Sequence, residues 1–107
     1  MTARSKARIH IHPGEILKEE FLVPLGITAN RLACSLGVPA NRISAIINGD
    51  RGITAETAIL LGRAFQTTPE FWINLQVHYD LEVARTTVSA DRVKSASRLA
   101  KELRLGH

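Results

Sequence analysis

Residues 29–49, ANRLACSLGVPANRISAIING, read as two short helices joined by a tight turn. Leu32, Ala33 and Leu36 are apolar at helical spacing. Gly37 stands where a left-handed residue ends a helix, and Pro39 stands where the next one begins. In that second helix Ile43, Ile46 and Ile47 fall at i, i+3 and i+4 and form one apolar face. Asn41, Ser44, Ala45 and Asn48 lie roughly opposite. Side chains this small, able to hydrogen-bond yet uncharged, suit the edges of bases in a major groove. The stretch therefore predicts a helix-turn-helix whose second helix reads DNA.

The flanking segments look like support for this unit. Pro13 and Gly14 open an earlier helix with Ile16, Leu17 and Phe21 on its apolar side, and Pro24 with Gly26 is expected to end it. Thr28 is a good N-cap for the helix that follows, because its hydroxyl accepts from an orphan backbone N–H. After the second helix of the motif, residues 48–52 (NGDRG) form a loop with Gly49 at a left-handed cap and Arg51 projecting. Thr54 caps a fourth helix with Ala58, Leu61, Gly62 and Phe65 inside, where Gly62 lets a neighbour approach closely. Thr68 and Pro69 start a fifth.

That fifth helix carries two apolar stripes. Phe71, Trp72, Leu75, Tyr79 and Val83 cluster on one side, and Ile73, Val77, Leu81 and Ala84 on the other. One stripe serves the domain's own core; Ile73, Val77 and Leu81 are candidates for contact with a second copy of the chain. The alternative cover is residues 91–105, where Val93, Ala96, Leu99, Ala100 and Leu103 keep helical spacing. This segment either folds back or stays a marginal tail helix, and the pattern is compatible with both.

The chain has 107 residues, 45% of them hydrophobic, enough for one domain with a modest core. Its apolar runs fall far short of the roughly 20 residues a membrane-spanning helix needs, and the basic N-terminus has no apolar signal core. A soluble cytoplasmic protein is expected. The net charge is +4, which favours a polyanionic partner. Residues 1–12 carry +3, 28–53 carry +2 and 82–107 carry +3, whereas 13–27 and 54–81 carry −2 each. Positive charge thus sits on the helix-turn-helix and both tails. Three segments are expected: a basic arm over 1–12 with Arg4, Lys6 and Arg8, a helix-turn-helix domain over 13–88, and a basic C-terminal helix or tail over 89–107.

Other chemistries are poorly supported. Cys34 is the only cysteine and has no His or Lys close in sequence, so it reads as a plain structural thiol. His10 and His12 alternate with Ile9 and Ile11 and would share one side of a short strand, but no second HxH pair or HExxH motif accompanies them. No metal or cofactor is expected. There is no glycine-rich phosphate loop and no nucleophile with a nearby base, and Glu15, Glu19 and Glu20 read as the solvated face of the first helix. An enzyme is not expected.

Taken together, HPGEILKEEFL, the motif VPANRISAIINGDRGITAETAILLGRAF and the block TTPEFWINLQVHYDLE resemble the HigA or VapI-type antitoxins of the XRE-like helix-turn-helix superfamily, over about residues 12–82. The resemblance implies an all-α, five-helix lambda-repressor-like domain, with an extra C-terminal helix if the tail folds. It further implies a homodimer that binds a palindromic operator beside its own promoter and neutralises a HigB/RelE-like mRNA-cleaving toxin. The alternative is a free-standing XRE-type repressor without a toxin. Position by position, the helix from Pro39 to Asn48 becomes the recognition helix, with Ala40, Asn41, Ser44 and Ala45 as base-edge candidates. Arg31, Arg42, Asn48 and Arg51 become candidate phosphate contacts, which fix register without reading sequence. For Arg42 the competing role is a surface salt bridge. One departure is Gln66, where the family usually has a glycine.

Overall fold

A computed structural model describes residues 10–105, which fold as six helices with no strand among the described residues. Most of the expected basic arm, with Arg4, Lys6 and Arg8, lies outside them. Helix α1 covers residues 13–25 in three consecutive pieces: an α-helical start Pro13–Ile16, a π-helical stretch Leu17–Leu22 and a last turn Val23–Leu25. The helix ends over the expected Pro24–Gly26 stretch, one residue beyond the proline. The Val23 N–H reaches five residues back to the Lys18 carbonyl, and this wider turn makes room for a proline ring that would crowd the carbonyl four residues earlier. The chain turns only at Gly26, in the left-handed conformation with φ +67°.

Helices α2 (Ala29–Leu36) and α3 (Ala40–Ile47) form the helix-turn-helix, separated by Gly37 at φ +71°. The Thr28 hydroxyl accepts from the Arg31 N–H at 3.0 Å and caps α2. Pro39 stands just outside α3 as its N-cap, so the helix begins one residue later than expected, because the extended ψ of 144° at Pro39 has not yet entered the helix. Helix α4 (Ala55–Phe65) is capped by Thr54 and helix α5 (Pro69–Thr87) by Thr68, each through its hydroxyl. Helix α6 (Ala90–Glu102) is capped by Ser89.

The core gathers Leu17 and Leu22 of α1, Leu32 and Ala33 of α2, Ile43 and Ile46 of α3, Ala58 and Leu61 of α4, and Trp72 of α5, all buried, with Ile53 from the α3–α4 loop. Burying Ile43 and Ile46 contributes about 1.5–3 kcal/mol each, which fixes α3 on the inner α1 surface while its opposite face stays in solvent. The Trp72 indole N–H donates to the Thr67 hydroxyl at 2.7 Å, so the largest buried ring leaves no orphan donor. Around it Phe21, Phe65 and Phe71 pack with centroids 4.9–6.5 Å from Trp72. Gly62 does admit a close neighbour: a methyl there would stand 2.9 Å from the Thr67 carbonyl oxygen.

The tail segment is helical but does not fold back. Helix α6 buries no residue, and the chain extends 54 Å along its longest axis. Val93, Leu99 and Leu103 all remain exposed. Cys34 is exposed on α2 and takes no part in the core.

Candidate nucleic-acid interface

The buried face of α3 determines what its outer face presents. With Ile43 and Ile46 fully inside, Ala40, Asn41, Ser44 and Asn48 are exposed and Ala45 is half-buried beside them. The Ser44 hydroxyl leans back to the Ala40 carbonyl at 3.5 Å and keeps its lone pairs available. No side chain caps the start of α3, so the positive end of the helix is left for an external acceptor. Its other end is closed by backbone bonds from the Gly49 N–H to the Ile46 carbonyl and from the Asp50 N–H to the Ala45 carbonyl, with Gly49 at φ +83°. The loop that follows presents Arg51 to solvent.

The candidate cations lie on three elements: Arg31 in the first turn of α2, Arg42 on α3 and Arg51 in the loop. Among the described residues none of the three is in an ion pair, and the Nε of half-buried Arg42 lacks any hydrogen-bond partner. The salt-bridge role weighed for Arg42 therefore has no partner among those residues. Arg31 also lines an open groove of about 450 Å³ between α2 and α4, together with Ile27, Leu36, Leu60, Phe65 and Arg63.

Two further residues support this surface: His12, which the sequence pattern offered only as a metal-ligand candidate, and one residue that no sequence pattern marked. The His12 Nδ1 accepts from the Gly14 N–H at 2.9 Å and caps α1, while its ring meets Tyr79 of α5 edge-on at 4.8 Å. His10 and His12 do lie on one side of the chain, but against an aromatic ring rather than in a strand. Burial pushes the His12 imidazole below its ordinary value, against the opposing pull of Glu15, Asp80 and Asp50. His10 and His78 both approach Glu82, at 3.9 and 3.8 Å, and no group of potential ligands large enough for a metal ion gathers among the described residues. The second residue is Gln76 of α5, whose Oε1 accepts from the Ile53 N–H at 2.7 Å and whose Nε2 donates to Asp80 Oδ1 at 3.0 Å. A side-chain bond across 23 positions has no local signature.

On the outer side of α5, Val77 and Leu81 are each 48% exposed, whereas Ile73 is packed in part against the core. No helix among the described residues is long and apolar enough to cross a membrane.

Comparison with known proteins agrees with this geometry. The helix-turn-helix family HTH_3 matches residues 17–72. Virulence-associated protein I of Dichelobacter nodosus is 50% identical over 74 residues, which cover 69% of this chain and 68% of that protein. Antitoxin HigA-1 of Vibrio cholerae serotype O1 is 47% identical over 78 residues, 73% of each chain. Among solved structures, the Pseudomonas aeruginosa antitoxin HigA with the higBA promoter superposes with a TM-score of 0.71 at 47% identity, covering 74% of this chain and 85% of that one.

Proposed function

The chain belongs to the DNA-binding helix-turn-helix family that includes the HigA antitoxins and virulence-associated protein I, and from that membership we propose that it is the antitoxin and autorepressor of a toxin-antitoxin module. The observation that carries the DNA half of this reading is the outer face of α3. Small uncharged side chains at Ala40, Asn41, Ser44 and Ala45 are flanked by Arg31, Arg42 and Arg51, which form no ion pair among the described residues. Asn41 pairs with an adenine edge, the Ala45 methyl meets a thymine methyl, and the arginines with Asn48 grip phosphates. One copy covers too little DNA for tight binding. Two copies, held through the outer stripe of α5, read half-sites about one helical turn, roughly 34 Å, apart, so the operator is palindromic.

The protein-binding half rests on the family alone: the partner is a HigB/RelE-like mRNA-cleaving toxin in the cytoplasm, and the role requires no catalysis by this chain. Two experiments test the reading. Gel-shift titration with promoter DNA from the chain's own locus is expected to give one specific complex with a symmetric footprint. Expression of the adjacent small reading frame is expected to arrest growth unless this chain is co-expressed. Specific DNA binding without a toxic neighbour would leave a free-standing repressor.

A further inference from the structure

Arg51 sits in a loop that backbone bonds tie to α3 at its start and the Thr54 cap ties to α4 at its end. Between these anchors the loop has one hydrogen bond to the rest of the domain among the bonds described, from the Ile53 N–H to Gln76 Oε1 at 2.7 Å. The Gln76 amide also lies flat over Gly52: a methyl at that glycine would stand 3.0 Å from its Cδ, Oε1 and Nε2 alike. Asp80, one turn further along α5, accepts from Nε2. An ionised carboxylate only accepts and a backbone N–H only donates, so a single orientation of the amide satisfies both neighbours. The buried Ile53 side chain holds the loop down, and Gln76 sets where residues 50–52 stand above it.

We propose that Gln76 is a positioning residue for DNA binding, a latch that holds the α3–α4 loop so that Arg51 meets a phosphate while α3 lies in the groove. This rests on the operator reading above. The latch belongs to α5, the helix whose outer stripe is the candidate contact between copies, so whatever packs on Val77 and Leu81 bears on the helix that places Arg51.

The test uses the full chain with Gln76→Met, which keeps the length of the side chain without its hydrogen bonds, and Gln76→Ala. In the free protein, amide exchange at Ile53 is expected to speed up in both variants while exchange in α4 stays slow; an Ile53 amide already unprotected in the parent chain overturns the latch. In operator titrations over a range of salt, both variants are expected to bind roughly tenfold more weakly with a salt slope lower by about one, as for Arg51→Ala. Because latch and arginine act through one contact, Gln76→Met with Arg51→Ala is expected within about twofold of Arg51→Ala alone, and fully additive losses overturn the proposal. Thr68→Ala removes a cap from the same helix and lowers its stability. It is expected to leave operator affinity and salt slope unchanged, and a loss equal to that of Gln76→Met would mean general weakening of α5, which also overturns the proposal. Parent chain that binds no operator DNA overturns the operator reading itself; parent chain that binds while Gln76→Met binds equally well overturns the latch alone.

Discussion

Gly14, in the first turn of α1, lies flat against the carbonyl of Ile46, in the last turn of α3. A methyl group at Gly14 would collide with that carbonyl and crowd the Cα of Ile47, and these are backbone atoms that cannot rotate away. The start of one helix thus supports the end of α3, the proposed DNA-reading helix. Gly14→Ala is expected to destabilise the domain by about 1–3 kcal/mol through overpacking. At roughly 4–8 °C per kcal/mol for a domain near this size, a thermal melt resolves the loss.

Gln66 gives the opposite expectation. It closes α4 with φ 57° and ψ 44°, a left-handed conformation that costs a residue with a Cβ about 1–2 kcal/mol, and its backbone N–H bonds to the Gly62 carbonyl. Gln66→Gly removes that strain but adds freedom to the unfolded chain, which offsets part of the gain. A net stabilisation of up to about 1 kcal/mol is expected, read as a higher urea midpoint with unchanged m-value.

His12 makes stability depend on pH. Its pKa is lowered in the folded chain, so between the folded and unfolded values the unfolded state binds more protons. The contribution is complete above the ordinary histidine value and is lost as pH falls through the folded one. Protonated at Nδ1, the imidazole cannot accept from the Gly14 N–H, so the α1 cap goes with it. His12→Asn, a good cap that does not titrate, is expected to flatten the urea-midpoint profile between pH 8 and 5 relative to the parent chain. An equally steep profile in the variant would assign the dependence to other groups.

Elements that local chemistry dictates were legible in the sequence. Thr28, Thr54 and Thr68 each accept from a backbone N–H three residues on, and that pattern is visible in any window of four. The two faces of α3 follow from the spacing of its isoleucines. What was not legible either lacks a common local signal or joins residues far apart in the chain. The end of α1 at Gly26 was expected, but the π-helical turn that accommodates Pro24 before it was not. The caps of α1 and of the Arg51 loop come from a histidine and from a glutamine 23 positions away, neither a common local signal. Helical apolar spacing described residues 91–105 as an amphipathic helix, but it carries no information on whether that face meets this domain, and it does not.

The proposed base reading and phosphate binding are expected to separate in variants of the α3 surface and its following loop. Asn41 is exposed at the start of α3, where a bidentate bond to adenine is worth about 1–3 kcal/mol of discrimination. Asn41→Ala is expected to lower the preference for the operator over a substituted site while leaving the salt slope alone. Arg51→Ala is expected to weaken both sites equally and to reduce the slope by about one. Competition titrations at several salt concentrations read both quantities, and an unchanged operator preference in Asn41→Ala removes that residue from base recognition.

The outer stripe of α5 gives the last expectation, and burial decides how to test it. Ile73 packs partly against the core, so a charge there unfolds the domain and reports nothing about association. Val77 and Leu81 are half exposed one turn apart, and a charge at either leaves the core untouched. If two copies meet along this stripe, glutamate at Val77 or Leu81 places an unpaired carboxylate in an apolar contact, an outcome expected to shift sedimentation from dimer to monomer. Operator with both half-sites then loses affinity steeply, while a single half-site, bound by one copy in either case, loses little. Leu99→Glu on α6 separates the alternatives, because Leu99 is exposed on a helix that packs on nothing in this domain. Dissociation by Leu99→Glu and not by Val77→Glu would move the contact between copies from α5 to the tail helix.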